Sequence, residues 1–193
     1  MIYGEKVRLR ADERSDIPLF VQWLNDPEVR EHLSMYLPVS LAGEELWFEK
    51  ALKHPADEQP LAIEVREALP AAGIIPADGK DGWKLIGNCG FMDIDRRVRS
   101  AEIGLFIGDK SSWGKGYGTE VMRLLLRHGF ETLNLNRIFL RVDETNPRGV
   151  HVYEKVGFVQ EGRSRQAVYL HGKYQDLLVM SILRAEWDEQ TRR

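Results

Sequence analysis

The chain has 193 residues, 43% hydrophobic and 30% charged, with a formal net charge of −3. That make-up suits one soluble globular domain with a full core, and the charge gives no general attraction to nucleic acid. Cys89 is the single cysteine, which excludes an internal disulfide, and the five histidines show no ligand-like pairing, so no metal is expected.

In chain order, residues Val7 to Arg10 alternate apolar and basic, which predicts a strand. Neither a leader-like apolar segment after Met1 nor any run of membrane-spanning length is found, so the expectation is a cytoplasmic protein without a membrane partner. Ser15-Asp16-Ile17-Pro18 reads as a helix entry, followed by Ile17, Phe20, Val21 and Leu24 at helical spacing and a stop at Asn25-Asp26-Pro27. A second helix is expected from Pro27 to Leu33. A third is capped by Ser40 and carries Leu46, Trp47, Ala51 and Leu52 as its apolar stripe. Leu61 to Val65 is a strand, and Pro70, Gly73, Pro76, Gly79 and Gly82 mark residues 66–82 as an inserted loop.

Lys84 to Asp95 and Ala101 to Ile107 are expected strands around a solvated turn, Arg96 to Arg99. Thr119 to Leu133 places Val121, Leu124, Leu125 and His128 on one helical face. Arg137 to Val142 is β-rich, and Val150 to Val156 is a short helix ended by Gly157. Val168 to Leu170 and Leu177 to Leu183 read as a last strand pair joined through His171-Gly172-Lys173. No repeat or linker divides the chain, so residues 1–193 form a single α+β domain.

The sharpest local signal is Trp113-Gly114-Lys115-Gly116-Tyr117-Gly118-Thr119, which follows a strand and opens a helix. Alternate glycines allow the backbone to turn with its N–H groups inward, and a helix start adds unpaired donors and a positive dipole end. This is a site for a pyrophosphate. A Walker loop is excluded because Lys115 is followed by Gly116, and a dinucleotide fingerprint because Thr119 stands where its last glycine belongs.

Gly116-Tyr117-Gly118 fills the last three places of the signature Gln/Arg-x-x-Gly-x-Gly/Ala, with Trp113 where Gln or Arg usually stands. Asn146-Pro-Arg-Gly-Val-His-Val-Tyr153-Glu-Lys-Val-Gly157-Phe158 matches a second signature, Asn…Tyr-Glu-Lys-x-Gly-Phe. On these two motifs the chain resembles the GNAT N-acetyltransferase superfamily, and Trp-Gly-Lys-Gly-Tyr-Gly is similar to its ribosomal-protein branch. The stretch His171 to Asp176 resembles the polyamine-acetylating members. The resemblance implies a mixed, mostly antiparallel sheet flanked by helices, with the family's fourth and fifth strands splayed apart. Residues 1–60 would form the acceptor side, 61–110 the central strands, 111–160 the acetyl-CoA motifs and 161–193 the C-terminal strands.

The implied activity is transfer of acetyl from acetyl-CoA to a primary amine, by direct attack in a ternary complex. The amine would be a protein N-terminus, a polyamine or another small amine, and the protein a homodimer. The alternative is a CoA-binding sensor without turnover. The resemblance puts Leu105, Phe106 and Ile107 against the pantetheine, Trp113, Gly114, Lys115, Gly116, Tyr117, Gly118 and Thr119 around the pyrophosphate, Asn146 on the pantetheine, and Arg148 and Lys155 near phosphate oxygens. Tyr153 is the expected acid for the leaving thiolate. Glu102, on the strand face opposite Ile103 and Leu105, is the base, a carboxylate paired to Arg97, Arg99 or Arg141, or one that orders water, with Asp143 and Glu144 at the end of the fifth strand as the weaker candidates for a base. Cys89 and His151 read as packing residues, while Trp23, Tyr36 and Trp47 are divided between core and acceptor pocket.

Overall fold

A computed structural model describes residues 1–66 and 82–192. The expected loop over 66–82 therefore lies, apart from its two ends, outside the described residues. The strands are β1 (Ile2–Tyr3), β2 (Val7–Ala11), β3 (Leu61–Arg66), β4 (Trp83–Asp95), β5 (Ser100–Ile107), β6 (Arg137–Asp143), β7 (Val159–Leu170) and β8 (Lys173–Leu183). The helices are α1 (Ile17–Leu24), α2 (Pro27–Arg30), α3 (Leu41–Ala51), α4 (Tyr117–Arg127), α5 (Pro147–Lys155) and α6 (Arg184–Thr191). The strands form one mixed sheet in the order β1-β2-β3-β4-β5-β6-β8-β7. Every pair in it is antiparallel except β5 with β6. The expected mixed α+β architecture is what the structure has. None of the described helices is long and apolar enough to cross a membrane.

Side-chain alternation sends successive residues of β3 to opposite faces of the sheet. Ile63 and Val65 join α4 residues Val121, Met122, Leu124 and Leu125 in the main core, while Ala62 joins Phe20, Trp23, Leu24 and Val29 of α1 and α2 in a second. Helices thus cover both faces. In β2, Val7 and Leu9 are buried, and the intervening arginines close on one buried carboxylate: Arg8 and Arg10 bond Glu64 at 2.6 and 2.9 Å. Glu120, in the first turn of α4, accepts N–H bonds from Lys6 at 2.9 Å and Val7 at 3.2 Å. That ties the start of β2 to the helix that follows the glycine turn.

Several boundaries differ from expectation for physical reasons. Ser40 does cap α3, accepting from the Gly43 N–H at 3.0 Å, but the buried face is Glu44, Phe48 and Ala51. Of the expected stripe only Ala51 is inside; Leu46, Trp47 and Leu52 are exposed, because packing against α1 selects the face. The helix expected to run to Leu133 ends its α-geometry at Arg127 and widens into a π-turn over His128–Thr132. The last hairpin extends well beyond the expected 168–170 and 177–183, since its outer strand is held by backbone pairing while most of its side chains face water. His171 and Gly172 close it at φ 51° and 77°, the left-handed pair a two-residue hairpin needs. β1 and the polar α6 carry too little apolar periodicity to be read from sequence.

Candidate active site

β5 and β6 are paired only at Ser100–Arg137, Ala101–Ile138 and Glu102–Phe139. Beyond Glu102 they part: β5 continues beside β4 to Ile107, and β6 continues beside β8 to Asp143. β5 and β6 are the strands that the family resemblance numbers fourth and fifth, because β1 precedes them. The parting leaves the edge of β5 from Ile103 to Ile107 without a strand partner, and there opens a cleft of about 1410 Å³. Leu105, Phe106 and Ile107 line it. An extended ligand can pair with that edge as a strand would.

The glycine turn forms the next wall. Trp113, Gly114, Gly116, Tyr117, Gly118 and Thr119 all line the cleft. Gly114 and Gly116 sit at φ 73° and 83°, conformations an L side chain resists, although a Cβ at either would meet nothing within 4 Å. These glycines are required by the turn, not by crowding. Gly116 is the N-cap of α4 and has no side chain with which to cap it, and the helix ladder begins with Glu120 N–H to Gly116 O at 3.1 Å. The N–H groups of the first turn are left for an anion.

Trp113 replaces the usual Gln or Arg in a way the structure explains. Its indole N–H donates to the Ile107 carbonyl at 2.8 Å, and the Arg148 guanidinium lies over its ring, 5.0 Å from the centroid. The indole is pinned to the end of β5 and in turn carries a cation at the mouth of the turn. Lys115 lines a separate, smaller cavity with Arg66 and Lys84, and Lys155 is exposed and lines neither. Of the expected cations, only Arg148 is placed on the cleft.

α5 delivers the second motif. Asn146 caps it, its carbonyl oxygen accepting from the Gly149 N–H at 2.9 Å, with Pro147 at the first helical position. Gly157 takes φ 102°, and Phe158 N–H returns to the Tyr153 carbonyl at 3.0 Å, which fixes the helix end carrying Tyr153. Tyr153 lines the cleft beside Phe158, and burial pushes its phenol up to about 12. It is protonated at neutral pH.

For Glu102 the paired alternative is the one found. Arg141 donates to both its oxygens, Nε at 2.9 Å and Nη2 at 2.8 Å, across the point where β5 and β6 part. A carboxylate held by both oxygens is not a free base. Of the divided aromatics, Trp23 is core, Trp47 lines the cleft, and Tyr36 is exposed outside it. His151, expected to pack, is exposed on the cleft wall. Cys89 is buried, and burial pushes its thiol well above the ordinary range. His32, a residue outside the expected site, is brought by the turn after α2 to within 3.6 Å of Asp143 at the end of β6. No local pattern signals it, because the two residues are far apart along the chain.

The acetyltransferase (GNAT) domain family matches residues 6–159. An uncharacterised N-acetyltransferase, p20, of Bacillus licheniformis is 29% identical over 188 residues, 96% of this chain and 97% of that protein. A putative ribosomal N-acetyltransferase, YdaF, of Bacillus subtilis is 36% identical over 104 residues, 54% of this chain and 56% of that protein. Among solved structures, spermidine N-acetyltransferase from Vibrio cholerae, in complex with CoA and spermine, superposes with a TM-score of 0.80 at 28% identity. It covers 95% of this chain and 99% of that one.

Proposed function

This chain belongs to the GNAT acetyltransferase family and is an acetyl-CoA-dependent N-acetyltransferase, and we propose that its acceptor is the primary amine of a polyamine, acetylated by direct attack in a ternary complex. The observation that carries this reading is the charge of the cleft. The carboxylates of Glu28, Glu31, Glu58, Asp93, Glu102 and Asp143 line it against the cations Lys50, Arg141 and Arg148. Arg148 faces the glycine turn from α5, Arg141 and Glu102 offset each other, and Glu28 and Glu58 are paired to Lys110 and Arg96; Glu31, Asp93 and Asp143 still outweigh Lys50, so the remaining field favours a polycation. The structural likeness to a spermidine N-acetyltransferase supports the same class.

The residues divide the chemistry as follows. First-turn N–H groups of α4 and Arg148 hold the diphosphate, and the open edge of β5 at Leu105, Phe106 and Ile107 pairs with the pantetheine. The Asn146 carbonyl caps α5, which leaves its Nδ2 for a pantetheine carbonyl. A β5 N–H polarises the thioester carbonyl, the amine nitrogen forms the new bond to carbon, and the carbon–sulfur bond breaks. Tyr153 gives its proton to the departing thiolate. Glu102 ties β6 to β5 through Arg141 at the opening of the splay.

A second reading, a protein N-terminal α-amine, is favoured by the likeness to the putative ribosomal acetyltransferase. Thiol release with acetyl-CoA decides between them, using spermidine, a peptide with a free N-terminus and a small monoamine as acceptors. Spermidine is expected to give the highest kcat/KM. A peptide preferred over spermidine overturns the polyamine assignment, and saturable CoA binding with no acetylation of any amine leaves the sensor alternative. The reading includes a homodimer, for which light scattering should give about twice the 22.2 kDa chain mass.

A further inference from the structure

His32 and Asp143 make an arrangement that the chemistry above does not use. Asp143 closes β6, and its side chain is 2% exposed. One oxygen accepts from the Thr145 N–H at 2.9 Å and its hydroxyl at 3.0 Å. The Gln175 amide of β8, with its nitrogen toward the carboxylate, donates to both oxygens at 2.9 and 2.7 Å. Three donors therefore fix one carboxylate at the edge of the cleft. Facing it at 3.6 Å is Nδ1 of His32, which is buried and finds no hydrogen-bond partner among the described residues. The ring as a whole lines the cleft with 28% of its side chain exposed.

The turn that carries His32 is anchored. Leu33 N–H bonds the Arg30 carbonyl at 2.9 Å, the Arg30 guanidinium bonds the Met35 carbonyl at 2.9 Å, and Leu33 and Met35 pack on the second core. The cleft that the ring lines also carries Glu28 of α2, Glu31 just after that helix and Arg141 of β6, and the hairpin turn brings His171 Nε2 to 3.2 Å from the Glu31 carbonyl. An imidazole with one nitrogen against a fixed carboxylate and the rest of the ring toward a ligand cavity is the pattern of an oriented proton acceptor. The separation of 3.6 Å exceeds a hydrogen bond, and such contacts commonly tighten only when the ligand is bound.

We propose that His32 takes the proton that the acceptor amine must lose, with Asp143 as the positioning residue behind it. The inference rests on the amine-acetylation reading. An alkyl amine arrives as an ammonium at neutral pH, with no lone pair to attack. His32 Nε2 removes one proton and becomes imidazolium, whose Nδ1–H then donates to Asp143. The freed nitrogen attacks the thioester carbonyl, the carbon–sulfur bond breaks, and the thiolate takes a proton from Tyr153. The second amine proton restores the tyrosine, and the imidazolium returns its own to solvent.

The test compares kcat/KM for the acceptor from pH 6 to 9.5 in wild type, His32→Gln and Asp143→Asn, with CoA binding measured by calorimetry. His32→Gln should lose about a hundredfold at pH 7, with CoA affinity unchanged. The deficit should narrow by about tenfold per pH unit as free amine replaces the missing acceptor. Asp143→Asn should lose about tenfold, with the acidic limb of its profile displaced to lower pH. Wild-type turnover by His32→Gln overturns the proposal, and so does a deficit of the same size at every pH, which is what a merely structural role gives. A wild-type protein that binds CoA but acetylates no amine fails the underlying reading, and this inference with it. An active wild type with an indifferent His32→Gln sinks the inference alone.

Discussion

Between Trp113 and Thr119 the cleft wall is main chain: two glycines at positive φ and the uncapped start of α4. Around His32 and Asp143 the wall is side chains, converging from the turn after α2, the end of β6 and the start of β8. The first region is one contiguous segment whose shape follows from its own residues. The second exists only because the sheet brings three distant segments together. On the proposed function, the wall of backbone N–H groups serves the diphosphate and the wall of side chains serves the acceptor.

The largest effect is expected at Tyr153, which lines the same cleft from α5. Tyr153→Phe keeps the ring beside Phe158 and removes only the proton donor, so kcat should fall about a hundred- to a thousandfold while CoA binding holds. Unchanged kcat, measured by thiol release, would remove Tyr153 from the chemistry. Next comes Gly116→Val. A β-branched residue at φ 83° is strained by about 1–3 kcal/mol, which predicts CoA binding weakened about ten- to a hundredfold in calorimetry. Gly116→Asn should recover most of that loss, because asparagine tolerates the left-handed region and the space is open. Equal losses in both variants would mean that space, not backbone conformation, sets the turn.

Trp113→Ala removes the platform under Arg148 and should weaken CoA binding about three- to tenfold. If Arg148→Ala, made on top of it, still costs as much as it does in the wild type, the two residues are not coupled and the cation is held by other means.

The smallest effect on turnover is expected from Asp12, a buried carboxyl just after β2 that accepts from Asn88 Nδ2 at 2.6 Å through one oxygen and leaves the other unpartnered among the described residues. Burial, with the charge of Asp16 adding to it, pushes Asp12 up to about 7. The folded chain holds this proton where the unfolded chain has released it. The group therefore favours folding less and less as pH rises from about 4 through 7, and its ionised form is a cost above that. At about 1.4 kcal/mol per pH unit, stability should fall by roughly 2 kcal/mol between pH 5.5 and 8.5. Asp12→Asn should raise Tm at pH 8.5 by about 5 °C more than at pH 5.5. An equal gain at both values would show that the buried carboxyl does not titrate in this window.

The same contrast decides what could be read in advance. The glycine turn, the end of α5 at Gly157 and most strands were legible because each is a local solution to a backbone problem, written within a few consecutive residues. Glu102 was legible as a carboxylate in need of a partner. Which of Arg97, Arg99 and Arg141 supplies it was settled by the parallel register of β5 and β6, which sets Arg141 beyond the last paired residues. The buried face of α3 went the other way. The apolar stripe expected there is Leu46, Trp47, Ala51 and Leu52, but where α3 meets α1 the residues buried are Glu44, Phe48 and Ala51.

From its order of residues alone, this protein was determined to have a glycine turn at the start of a helix, a tyrosine one helix later and a mixed α+β sheet, since dihedral preferences and capping act over a single turn of chain. Only the tertiary structure decided at which pair β5 and β6 part, that Arg148 rests on Trp113, and that His32 meets Asp143. Those contacts join segments separated by tens of residues. They follow from how the sheet and its two helical layers close on one another, which no short window of sequence contains.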